Sequence, residues 1–122
     1  NTGIIFLGGI FNKLHLDNIR YYSSFYLHGH SVGGTNPALL EAMAANTFIL
    51  AHDNQFNKSV INLNAYYFKN ANTLGALLKD KDILKNKIEF AKNNLKRIDE
   101  VYRWSIIVNQ YESYFKKILD NK

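Results

Sequence analysis

Residues that could do chemistry crowd into one stretch, His28-Gly29-His30-Ser31-Val32-Gly33-Gly34-Thr35-Asn36-Pro37-Ala38-Leu39-Leu40-Glu41. The glycine pair lets the main chain come close to a ligand, because nothing projects from either Cα. A helix start follows it, with Asn36 as a side-chain cap and Pro37 at the first helical position, where its missing N–H costs nothing. Helix starts present unpaired N–H groups and a positive dipole end, so an anion belongs there. Phosphate fits best, with the amides of Gly33, Gly34, Thr35 and Asn36 and the Thr35 hydroxyl as donors. The plain alternative is a glycine turn that only joins a strand to a helix.

Glu41 lies five residues past the cap, about 7 Å along a helix axis, and its side chain leans back toward the N-terminus. A carboxylate accepts two hydrogen bonds from a vicinal diol, so phosphate at the helix tip and ribose on Glu41 make one nucleotide site. A carboxylate on an apolar helix needs a partner. The alternative is therefore a Glu41 that pairs with a core Arg or reaches solvent. His28 and His30 share one face of an extended chain, and His52-Asp53 follow the next strand. Two His and an Asp without a further ligand make a poor metal signature, and a His beside phosphate serves as a hydrogen-bond donor. The expectation is a ligand-contacting His30 and no metal. With no cysteine in the chain, disulfides, thiolate nucleophiles and thiolate-bound metals are excluded.

The elements that must position these groups alternate. Ile4-Ile5-Phe6-Leu7 reads as a buried strand closed by Gly8-Gly9, and Leu14, Leu16, Ile19 and Tyr22 follow at helical spacing. Ser24–Leu27 is a second strand. The helix after Asn36 is apolar except at Glu41 and should pack deep. Thr47–Ala51 is a third strand ending at His52-Asp53-Asn54, and a helix around Lys58–Ile61 precedes a short strand at Ala65–Phe68. Strands joined by helices give a Rossmann-like parallel sheet flanked by helices, with ligands at the carboxyl ends of the strands. From Asp82 onward Leu84, Ile88, Ala91, Leu95 and Ile98 predict one long amphipathic helix. Trp104, Ile107, Val108, Tyr111, Tyr114, Phe115 and Ile118 predict a second, whose aromatic residues read as core rather than as a sugar platform. The chain thus divides into an α/β core over 1–80 and C-terminal helices over 81–122.

A length of 122 residues accommodates one domain. No apolar run approaches the roughly 20 residues a membrane-crossing helix needs, which predicts a soluble protein. The net charge of +5 is carried by the tail: residues 79–122 hold eleven Lys/Arg against seven Asp/Glu, residues 1–78 four against three. Abundant Lys and Asn are what a low-GC coding bias would produce without selection for any partner, so nucleic acid is not the expected partner, and weak attraction to an anionic membrane surface is the better use of the charge. A start at Asn1, with no Met and no charged leader, reads as a fragment.

The stretch from His28 to Met43 resembles the donor-site motif of bacterial retaining GT-B glycosyltransferases, closest to a rhamnosyltransferase-like subgroup that builds capsule, lipopolysaccharide and related surface polysaccharides. The likeness continues through Ile49–Asn57 and ends at Trp104–Tyr111, similar to that fold's closing helix. It implies the C-terminal donor-binding domain of a GT-B enzyme, transferring a sugar from a nucleotide diphosphate donor to a glycan or lipid-linked acceptor with retention and without bound metal or other cofactor. Glu41 matches the second glutamate of the family's paired-glutamate motif, which holds the ribose. Gly33 stands where the first glutamate usually faces the sugar, so a catalytic carboxylate does not carry over, and His30 becomes the candidate for contact with the sugar or β-phosphate. The resemblance also implies that a separate N-terminal domain holds the acceptor, that the fragment alone is inactive, and that the enzyme is cytoplasmic or peripheral on the inner face of the bacterial membrane. The rivals are another class of nucleotide-binding domain, such as an oxidoreductase, which lacks its G-x-G-x-x-G here, and a non-catalytic membrane or protein interaction module.

Overall fold

The structure is a computed structural model, and it describes residues 3–120. Three parallel strands, β1 (Tyr26–His28), β2 (Ile49–His52) and β3 (Tyr66–Phe68), form one sheet in the order β1-β2-β3. Leu27 lies opposite Leu50 and Ala51 opposite Tyr67. Between and around them run α1 (Lys13–Tyr22), α2 (Pro37–Ala44), α3 (Gln55–Ile61), α4 (Ala71–Lys79), α5 (Lys87–Arg97) and α6 (Trp104–Asp120).

Both faces of the sheet are covered, which explains why the central strand reads as a continuous apolar run. Alternation sends Ile49 and Ala51 to one face, where they meet Leu39, Ala42 and Met43 of α2 and Val60 and Ile61 of α3. Phe48 and Leu50 go to the other face, against Phe68, Ile83, Leu74, Leu77 and Phe90.

Asparagine starts four of the helices. Asn12, Asn36, Asn54 and Asn70 each accept from a backbone N–H in the first turn, of His15, Ala38, Asn57 and Thr73 respectively. Such a cap contributes about 1 kcal/mol relative to alanine. Asparagine also ends α2: Asn46 takes a left-handed conformation (φ 57°), with its own N–H bonded to the Met43 carbonyl and that of Thr47 to Ala42. That is a Schellman closure with Asn where Gly is commoner. The end of α3 is closed from outside, where Arg97 of α5 donates to the Val60 carbonyl through Nε and to Ser59 through Nη2.

Three expectations are corrected. Ile4–Leu7 is not a strand: it pairs with nothing among the described residues and is exposed, Phe6 by 92%. β1 has β2 as its only described strand partner, so the run finds no ladder to join and its backbone is left to water. The single long helix after Asp82 is segmented into a 3₁₀ turn at Ile83–Asn86, α5, and a π turn at Ile98–Tyr102, with Arg103 extended before α6. Ile98 and Tyr102, at the two ends of the π turn, both pack on the core beneath α2. The aromatic face of α6 is not core: none of its described residues is buried, because it packs chiefly against the π turn.

Candidate functional site

Strand β1 ends one residue later than the sequence pattern suggests, so His28 belongs to the sheet rather than to the loop. It is 1% exposed, and neither ring nitrogen has a hydrogen-bond partner among the described residues. The exposed His30 lies on it, ring centroids 4.8 Å apart and planes 24° from parallel. Burial, then the nearby His30, push the His28 imidazole below its ordinary titration range, so the neutral ring is the form that fits.

The loop after β1 is tied to the loop after β2 by two asparagines. Asn57 of α3, 3% exposed, donates its carboxamide to the carbonyls of His30 and His52, both at 3.0 Å. Asn54 donates to the same His30 carbonyl at 3.0 Å while its oxygen caps α3. Beyond this anchor the chain is exposed from Gly29 to Thr35. Gly33 adopts φ +116°, open to glycine and strained for any other residue. Among the described residues, the amides of Gly33, Gly34, Thr35 and Asn36 donate to no protein acceptor, while the Asn36 side chain is engaged as the cap of α2. The first turn of α2 contains no acidic residue.

Glu41 is not sealed in the core. Leu39, Ala42 and Met43 take the buried side of α2, and the Glu41 side chain remains 48% exposed. Its Oε2 accepts from Nη2 of Arg20 at 2.8 Å, and Arg20, 8% exposed, also meets Asp17 at 3.4 Å and lies over the Tyr26 ring at 6.0 Å. The alternative of a pairing with a core Arg and an outlet to solvent is thus what the geometry contains, and it leaves Oε1 without a protein partner among the described residues. Glu41 lines a cavity of about 450 Å³ between α1 and α2, with Lys13, Asp17, Asn18 and Tyr21 on one wall and Ala44, Ala45 and Asn46 on the other. Asp17 titrates below its usual range through its hydrogen bond to Lys13, aided by Arg20 and opposed by partial burial.

Of the residues singled out from sequence, His30, Gly33, Gly34, Thr35 and Asn36 therefore share one continuous loop, and Glu41 opens onto the neighbouring α1–α2 cavity. Sequence reasoning missed Arg20, which orients Glu41, and Asn54 and Asn57, which hold the loop. Arg20 is the only arginine before the tail, on a helix otherwise patterned for burial, and that was the available signal. Asn57 gave none. Among the described residues no group of three or more His, Asp or Glu side chains gathers as metal ligands, and no helix is long and apolar enough to cross a membrane. No protein-family model, curated protein or solved structure matches the chain.

Proposed function

We propose that the chain is the donor-binding part of a retaining GT-B glycosyltransferase, gripping a nucleotide diphosphate sugar between the loop Gly33–Asn36 and Glu41. The observation that carries this reading is the row of unpaired amides entering the start of α2 at the carboxyl edge of a parallel sheet. Phosphate oxygens take those N–H groups. One helical turn on, the free oxygen of Glu41 accepts from ribose, its other oxygen fixed by Arg20. The nucleoside then extends into the α1–α2 cavity, toward Lys13 and Tyr21. His30 stands at the sugar end. In such a site the protein acts by positioning and by stabilising the departing diphosphate, which asks for amides and a dipole rather than an acid/base pair. The C-terminal helices correspond in this reading to the closing helices of the GT-B fold, and surface-polysaccharide synthesis is the setting.

The test is titration of the chain with UDP, GDP and dTDP by calorimetry. Saturable binding of one of them is expected, weakened at least tenfold by Glu41→Gln, which still offers Arg20 an acceptor. Absence of saturable binding by all three refutes the reading. A second reading rests on α6, whose Trp104, Tyr111, Tyr114 and Phe115 are exposed. A non-catalytic interaction module would bind liposomes through that face and show no nucleotide response.

A further inference from the structure

We propose that the His28–His30 stack is a proton-linked contact for the diphosphate of a nucleotide sugar: the outer ring, His30, takes up a proton as the dianion settles, and the inner ring, His28, stays neutral beneath it. This rests on the donor-site reading above and adds a regulation of that site. The rings are close and nearly parallel, 4.8 Å and 24°. Two cations so placed repel, so the pair carries one proton at most. Burial decides which ring takes it. His28 is 1% exposed with both nitrogens unpaired among the described residues, and a charge there would have neither water nor a partner. His30 is exposed, and its backbone is fixed by Asn54 and Asn57.

Among the described residues, no carboxylate is ion-paired or hydrogen-bonded with either ring. From β1 itself, Tyr26 faces His28 with its ring 6.1 Å away. From β2, His52 contacts Asn54 and packs on the Phe68 ring, and from α3 the group facing the loop is the neutral Asn57. Of the charged side chains on the neighbouring elements, Arg20 of α1 pairs with Glu41 of α2 and Lys58 of α3 with Asp53, which also lies near His52 and the cationic Lys69. An arriving anion is therefore the group that favours a cationic His30, and the unpaired amides of Gly33 to Asn36 place it along the same loop. Binding and protonation then reinforce each other, as linkage requires.

A nucleotide sugar suits the test because its diphosphate is esterified at both ends and its charge is constant from pH 5.5 to 8, so any pH dependence belongs to the protein. UDP-glucose, GDP-mannose and dTDP-glucose are titrated into the chain by calorimetry across that range, in two buffers of different ionisation enthalpy. The expected result is saturable binding that weakens toward tenfold per pH unit on the alkaline side, with net uptake approaching one proton. His30→Gln should bind more weakly with no uptake, while His28→Phe, which keeps the stacked ring, and His52→Gln should both retain it. Saturable binding with constant affinity and no uptake overturns the proton linkage and leaves the donor site standing, as does uptake that persists in His30→Gln. No binding of any of the three sugars at any pH overturns both.

Discussion

Of the two asparagines that hold the loop of the site, Asn57 is the buried one, so Asn57→Ala is the most informative single change. Asn57 donates to two carbonyls, His30 and His52, at 3.0 Å each, and is 3% exposed. Each bond contributes about 1 kcal/mol net, and truncating the buried side chain forfeits about 1 kcal/mol of packing, for a cost of about 2–3 kcal/mol. The His30 carbonyl keeps its bond from Asn54, which holds the figure below a full double desolvation penalty. For a domain of this size about 4 °C accompanies each kcal/mol, so thermal unfolding followed by circular dichroism should show a midpoint about 8–12 °C lower. Asn57→Leu keeps the number and branching of the side-chain heavy atoms while removing the hydrogen bonds, and should recover part of the packing loss. The ring signals of His28 and His30 in NMR spectra should shift in both variants, because the carbonyl between the rings and α3 is released. If both variants melt within about 1 °C of the parent with unmoved histidine signals, the carboxamide does not hold the loop and the reasoning about how the site is built fails.

Two further outcomes follow from the geometry. Asn46→Ala, at φ 57°, should cost about 1 kcal/mol in urea unfolding, whereas Asn46→Gly should be neutral or stabilising; equal losses in both would mean the Schellman closure of α2 is not what sets its end. The buried neutral His28 makes stability depend on pH in a defined direction. Its folded value is depressed, so its contribution is complete above the unfolded value of about 6.5 and is lost as pH falls below that, by at most about 1.4 kcal/mol per unit. The melting temperature should therefore drop between pH 7 and pH 5.5, a slope that His28→Phe flattens, while the depressed carboxyls of Asp17 and Asp53 withdraw their support only at more acid pH, below about 4. A wild-type midpoint unchanged over the upper window would contradict the burial of an unpaired ring.

The strands and helices from Lys13 to Phe68 were legible from local signals: the Asn36 cap with Pro37 at the first helical position, helical spacing, and apolar runs of strand length. Helix α4 was not read from the sequence, although Asn70 caps it as Asn36 caps α2. Ile4–Leu7 had the same apolar signal and failed, since a strand is defined by its neighbour and composition does not say who that is. The interruption at Ile98–Tyr102 was invisible for a related reason: positions four apart share a face in an α-helix and in a π turn alike, so the spacing of apolar residues does not report the backbone pitch. At the site, the loop and Glu41 could be named from spacing because they lie within 14 residues of each other. Their supports lie far away in sequence, Arg20 being 21 positions before Glu41 and Asn57 27 after His30. Hydrogen bonds over such separations leave no periodic trace.

The choice of asparagine over aspartate as the cap has an electrostatic consequence for the whole rim of the sheet. Helices α2, α3 and α4 each begin just beyond the carboxyl end of a strand, each carries a neutral cap, and none has an acid in its first turn. Each helix start is equivalent to roughly half a positive charge, so three of them amount to about +1.5. Asp53, which lies beside them, is paired with Lys58. That margin of the molecule is electropositive through its peptide dipoles, and since a carboxamide does not titrate, it keeps that polarity in acid, where carboxylate-capped helices would lose their caps.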